Sequence, residues 1–309
     1  MAILVLATSA FVEQQRAALA ELAPDERIFT DPALAPVAGI EALLAFRLAP
    51  GIVSRFPALR FVGSAGAGVD EVIAAPDLPA TIPVVRAVDP LQGQRMAQYV
   101  ALTMLRNYRD LPRLVAQHGE GLWQRFMPPL ERDHTIGVMG YGTIGAPVAD
   151  AVTRLGFPVS VWTRTRRSIA GVEVFAGPAG LAPFLAQSRV LVCTLPLTPE
   201  TRGLLDARAL GALPRGAYVI NVSRGAVLRD ADLLAAVDSG HLAGATLDVF
   251  ETEPLPAESP LWRHPRILCT PHIAAAPRPD VAARQFLDNL SRARAGKPLV
   301  NVVDRDRGY

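Results

Sequence analysis

Gly140-Tyr141-Gly142-Thr143-Ile144-Gly145 follows the apolar run Ile136 to Met139 and opens a segment in which Val148, Ala149 and Val152 recur at helical spacing. A strand, a glycine turn and a helix in that order commit a chain to a crossover unit of a parallel sheet. In such a unit the first glycine permits the tight turn and the second lets backbone approach a pyrophosphate. The third lets helix and strand pack closely, with the phosphate at the helix N-terminus. All six residues of the motif are therefore expected to contact a dinucleotide, the alternative being a glycine-rich structural turn.

The rest of the chain favours the first reading. Strands are expected at Thr135 to Met139, Pro158 to Trp162, Val190 to Leu195, Ala217 to Val222, Gly244 to Val249 and Arg266 to Thr270, separated by helix-length segments, which is the pattern of a doubly wound dinucleotide fold. Leu195 and Pro196, where the third of these runs ends, join the expected cofactor contacts. An earlier alternating series, Ala2 to Ala7, Ala42 to Phe46, Arg60 to Gly63 and Pro83 to Val88, implies another parallel sheet. Between the two series, Gln94 to Arg109 has a helical period with no Pro or Gly and reads as a long connecting helix; Gln117 to His134 is polar and turn-rich. A last helix from about Val281 to Ala295 leads into an apolar tail, Leu299 to Val303, expected to return to the first domain. The fold class is thus α/β, with two Rossmann-like doubly wound parallel-sheet domains. The domain expectation is residues 1–97 plus 280–309 for one and 98–279 for the other, within what 309 residues allow.

The second strand of the nucleotide domain ends Trp162-Thr163-Arg164-Thr165-Arg166-Arg167. An NAD site places an Asp or Glu there to accept the ribose hydroxyls. Here Thr163 stands in its place and arginines follow. A carboxylate would repel a 2′-phosphate, whereas guanidinium groups donate charge-assisted bonds to it. NADP is therefore expected over NAD, with Thr163, Arg164, Thr165 and Arg166 as contacts. The alternative is a solvated basic turn, with Arg166 and Arg167 facing outward.

Composition removes several other classes. Half of the residues are hydrophobic and 19% are charged, so the chain is globular rather than disordered. The 31 basic and 29 acidic residues are scattered, with no block suited to nucleic acid. Lys297 is the single lysine, in a Gly-Lys-Pro stretch, so neither an imine-forming lysine nor a phosphate-loop lysine is to hand. Cys193 and Cys269 sit in apolar segments without CxxC spacing, and the five histidines form no HxxxH pair; buried reduced thiols and no metal site are expected. No apolar run approaches the ~20 residues of a membrane helix, and the first run lacks a basic leader, so the expected compartment is the cytoplasm.

In open α/β sheets ligands sit outside the carboxyl ends of the strands. Arg224 follows the strand ending at Val222, Asp248 closes the strand from Gly244, His272 follows the strand ending at Thr270, and Glu253 lies in the loop leaving Asp248. Each has an ordinary structural reading by itself. Together they offer a cation for an anionic substrate, a proton donor and a carboxylate to hold it.

With GYGTIG, WTRTRRS, NVSRGAVL, LDVFETEPLP and SPLWRHPRILCTPHIAA in this order, the chain resembles the D-2-hydroxyacid dehydrogenases, in particular their glyoxylate/hydroxypyruvate reductase A branch. Gly66-Ala67-Gly68-Val69-Asp70 and the long helix near Met96 match more loosely. The resemblance implies NADPH-dependent reduction of a small 2-keto acid in a cleft between the domains. Ala67 and Gly68 N–H groups would bind the substrate carboxylate, Arg224 would hold carboxylate and keto oxygen, His272 would protonate that oxygen, Glu253 would orient His272, and Asp248 would contact the nicotinamide amide. Gln98 stands where relatives often carry glutamate. The helix and the Trp123 segment resemble the family's dimer-forming region, so a homodimer is implied. Phe46 and Trp123 are candidates to close over the substrate tail, the alternative for each being ordinary core or interface packing. Two other readings stay open at this point: a nucleotide-sensing corepressor of the same fold, and an NAD-dependent biosynthetic dehydrogenase, which Thr163 disfavours.

Overall fold

Strand after strand in the computed structural model is buried along its whole length, as a parallel sheet covered by helices on both faces requires. The structure describes residues 1–6, 10–276 and 278–305. The chain divides into two units, Met1–Pro90 with Ala276–Tyr309, and Leu91–Ala275. The division falls before the connecting helix rather than at residue 97. Met96, Ala97, Val100 and Met104 form one buried stripe of that helix and belong to the core of the second unit, which is why the helix is not cut.

The first unit holds β1 (Ala2–Val5), α1 (Ala10–Leu22), β2 (Arg27–Phe29), β3 (Ile40–Ala45), β4 (Phe61–Ser64), α2 (Asp70–Ile73) and β5 (Val84–Val85). Its five parallel strands run β2-β1-β3-β4-β5, so the strand order reverses at β1/β3, and loops leaving there open a crevice. Ala7, the end of the first expected strand, lies outside the described residues. The run Pro83 to Val88 yields only the two residues of β5. The C-terminal helix Pro279–Arg294 and the tail complete this unit: Phe286 packs on Phe61, Val302 bridges Val85, and Val303 N–H donates to Val84 O at 2.8 Å. Arg294 is ion-paired with Glu26 and, at 2.9 Å, with the buried Glu41 of β3.

The second unit contains α3 (Gln92–Tyr108), α4 (Leu111–Glu120), β6 (Ile136–Met139), α5 (Gly145–Arg154), β7 (Val159–Thr163), β8 (Glu173–Ala176), α6 (Gly177–Gln187), β9 (Val190–Cys193), α7 (Ala207–Gly211), β10 (Ala217–Asn221), α8 (Asp230–Asp238), β11 (Leu242–Leu247) and β12 (Ile267–Cys269). Its seven parallel strands run β12-β11-β10-β9-β6-β7-β8 and reverse at β6/β9, beside the glycine motif. One strand more than expected appears, the edge strand β8, and α4 occupies part of a stretch read as turns. Among the described residues no helix is long and apolar enough to cross a membrane.

Candidate active site

The glycine motif begins where β6 ends. Gly140 has φ +94°, a conformation that side chains disfavour, and its N–H donates to Trp162 O at 2.8 Å. A Cβ on Gly145 would come 2.0 Å from Gly140 O, so the helix–turn contact demands glycine there. A Cβ on Gly142 would meet nothing within 4 Å, and Gly142 and Thr143 are exposed; the outer side of the turn is open backbone at the start of α5. This is the cradle a pyrophosphate needs, and Gly140 to Gly145 fit the group on this geometry. Thr194, from the loop after β9, donates to Met139 O at 2.8 Å and fastens the turn across the switch point, with Leu195 buried and Pro196 exposed next to it.

Beyond β7 the expected contacts separate. Thr163 is buried, and its hydroxyl donates to Thr165 O at 2.9 Å, which shapes the turn. Arg164, Thr165, Arg166 and Arg167 are exposed. Arg167 donates to Tyr141 O at 3.0 Å, which ties the basic turn to the glycine turn. Three guanidinium groups therefore follow the end of β7, the place where an NAD site carries its ribose-binding carboxylate.

At the far side of the switch point the reacting groups converge. Nδ1 of His272 is 2.7 Å from Oε2 of Glu253, whose Oε1 accepts the Phe250 N–H at 2.9 Å. Burial pushes the Glu253 carboxyl up, but hydrogen bonding to His272, the His272 and Arg224 charges and the Phe250 N–H outweigh it, holding it below its ordinary value. Arg224 begins the turn after β10, with Nη1 on Ser223 O at 2.7 Å. Gly225 lies so close to the Phe250–Glu251 backbone that a Cβ would come 1.8 Å from Phe250 C, which brings the Arg224 turn against the loop of Glu253.

Asp248 is engaged within its own unit. It is 2% exposed and works on the segment that carries His272: Oδ1 accepts from Thr270 Oγ1 at 2.6 Å and Ile273 N at 2.9 Å, Oδ2 from Ala274 N at 2.8 Å, and its backbone carbonyl from His272 N at 2.9 Å. His272 itself has φ +54°, and this set of bonds holds it there. Tyr99 of α3 extends the network, its hydroxyl 2.5 Å from Thr270 Oγ1. Thr194, Tyr99 and Thr270 escape sequence reading because each works through a bond to a distant strand end.

In the first unit, the Phe46 ring lies against the loop after β4, where a Cβ on Gly66 would be 2.8 Å from Phe46 Cε1. Ala67 and Gly68 are half-buried, and among the described residues their N–H groups have no acceptor. Trp123 belongs to the second unit. It is 88% exposed in the irregular segment after α4.

Residues 101–274 match the model of the D-isomer specific 2-hydroxyacid dehydrogenase NAD-binding domain. Over 256 residues the chain is 43% identical to glyoxylate/hydroxypyruvate reductase A of Salmonella heidelberg, covering 81% of this chain and 82% of that protein. The chain belongs to the D-isomer specific 2-hydroxyacid dehydrogenase family. A crystal structure of a family member from Xanthobacter autotrophicus Py2 in complex with NADPH and MES is similar at a TM-score of 0.88 with 41% identity, covering 100% of this chain and 99% of that one. The NADPH-dependent glyoxylate/hydroxypyruvate reductase from Sinorhizobium meliloti, solved with NADP and sulfate, gives a TM-score of 0.90 at 36% identity, covering 100% of both chains. Within this dehydrogenase the matched NAD-binding domain contains the glycine turn, Arg224, Glu253 and His272, while Phe46, Ala67 and Gly68 lie outside it.

Proposed function

We propose that this dehydrogenase reduces small 2-keto acids, glyoxylate and hydroxypyruvate first among them, to D-2-hydroxy acids with NADPH. The observation that carries the reading is the 2.7 Å pair of His272 and Glu253 beside the Arg224 turn, at the carboxyl ends of strands whose switch point holds the glycine motif. The Salmonella, Xanthobacter and Sinorhizobium relatives support the cofactor and substrate class.

Gly140 to Gly145, Arg164 and Arg166 would hold the reduced cofactor, which when bound would supply the hydride. The remaining work belongs to the chain. Ala67 and Gly68 N–H groups and Arg224 take the substrate carboxylate, and Arg224 also faces the keto oxygen, where negative charge develops as the carbonyl electron pair moves onto it. His272 gives that oxygen the Nε2 proton, and Glu253 fixes the ring through Nδ1. Asp248, with Thr270 and Tyr99, keeps the His272 backbone in place.

The same reading makes the protein a cytoplasmic homodimer. Both cysteines are free, as reducing compartments favour. Leu111, Val115, Leu122, Trp123, Met127 and Leu130 are exposed on and after α4, more apolar surface in one stretch of chain than a monomer normally shows. Mixing purified protein with NADPH and glyoxylate or hydroxypyruvate and following the NADPH absorbance tests the activity. Rapid oxidation is expected; none with any small 2-keto acid would replace the enzyme reading with the nucleotide-sensing one.

A further inference from the structure

The loop that follows β4 is gripped from below by two side chains that no part of the mechanism uses. Ser64, the last residue of β4, is 3% exposed. Its hydroxyl accepts the N–H of Gly66 at 3.2 Å and donates its one proton to Gly68 O at 2.6 Å, so a single buried group closes the loop on itself. Gln15, on α1, is 0% exposed, and its Nε2 donates to Ala65 O at 2.6 Å. The other end of that amide, Oε1, is buried without a partner among the described residues, which is costly to keep in a core. An apolar residue would avoid the cost but could not hold Ala65.

Between these clamped positions, Ala67 and Gly68 are half-buried, and their N–H groups have no acceptor among the described residues. Two glycines in five residues make such a loop entropically expensive to fix. An anion binding to an unfixed loop would have to supply that ordering itself, whereas an anion meeting donors already arranged does not.

We propose that Ser64 and Gln15 are positioning residues for the substrate carboxylate: they hold the loop so that the Ala67 and Gly68 N–H groups stand free for the carboxylate of a small 2-keto acid. This rests on the function proposed above and deepens it by naming what arranges the anion-binding backbone. The printed bonds of both side chains go to the loop after β4, so the effect expected of them is on keto-acid binding.

The test compares S64A, S64T and Q15M with the unmodified protein, measuring KM for hydroxypyruvate, kcat at saturation and the Kd of NADPH by fluorescence. S64A and Q15M each remove one buried hydrogen bond on the loop and should raise KM roughly 3- to 10-fold, with kcat and NADPH Kd changed by less than about twofold. S64T, which keeps the hydroxyl, should return KM to within about twofold of the original. An unchanged KM in S64A and Q15M, a KM in S64T as high as in S64A, or equal losses in keto-acid and NADPH binding would each overturn the inference. An unmodified protein that is inert toward every small 2-keto acid removes the functional reading itself, and this inference with it.

Discussion

Glu253 meets His272 with one carboxylate oxygen and the Phe250 N–H with the other, at 2.7 and 2.9 Å. A carboxylate held ionised can only accept, so Nδ1 of His272 carries a proton and Nε2 is the nitrogen left for chemistry. Replacing His272 by Ala should lower kcat by about 10²- to 10⁴-fold while NADPH still binds. Glu253→Gln should act in the same direction with a smaller loss. Stopped-flow reduction of hydroxypyruvate at neutral pH measures both, and a His272→Ala protein with near-full kcat would mean that another group is the acid.

Cofactor preference should reside in Arg164 and Arg166, both exposed after β7, since Thr163 is occupied with Thr165 O. Replacing both arginines by Ala should weaken NADPH by about 10- to 100-fold per bond lost and leave NADH nearly unchanged. The ratio of kcat/KM for the two cofactors reports it; a ratio of one in the unmodified protein would sink the NADP assignment.

Substrate size follows from Phe46 against Gly66. Phenylpyruvate and 2-ketoisocaproate should be reduced poorly, and Phe46→Ala should narrow the gap, at ~1 to 3 kcal/mol per methylene admitted. Comparing kcat/KM across the series decides it, and a preference for phenylpyruvate in the unmodified protein would contradict the small-substrate reading.

Asp230, the first residue of α8, has its carboxyl pushed up to about 6 by burial and then by the Glu251 charge. A folded pKa above the unfolded one means that the ionised side chain opposes folding. This penalty is absent below pH ~4, grows as pH rises through the unfolded value, and is complete above the folded one. Asp230→Asn should raise stability at pH 8 by about 1 to 3 kcal/mol, with the gain fading between about pH 6 and 4. Thermal melts across that range test the sign; a constant difference at all pH values would show that ionisation is not the cause.

Light scattering should show a dimer at micromolar concentration. Replacing exposed Trp123 and Met127 by Ser should shift it toward monomer without lowering the melting temperature of the second unit's core, because neither side chain packs within its own chain. A monomer in the unmodified protein would contradict the assembly.

Most strands of the second unit are legible in sequence because they are predominantly apolar, a consequence of burial on both faces of a parallel sheet. β2 and β8 are not, since an edge strand is covered on one side only and Arg27 and Glu173 reach solvent. The glycine motif, Arg224, Glu253 and His272 are recognisable by type and order. What binds them is not: Thr194, Thr270, Tyr99 and Gln15 act through hydrogen bonds to backbone or side chains far along the chain, and no local pattern marks a residue whose partner is chosen by topology. Asp248 shows the same limit from the other side, being visible as a candidate while its work on the His272 segment is not.

The return of the tail to β5 orders events in time as well as in space. As the chain leaves the ribosome, the whole of the second unit is available before the helix Pro279–Arg294 that carries Phe286 to Phe61 and Arg294 to Glu26 and Glu41. The strands made first must therefore wait for residues made after the second unit, and that unit, a single continuous stretch of chain, is placed to assemble while the earlier one stays unfinished.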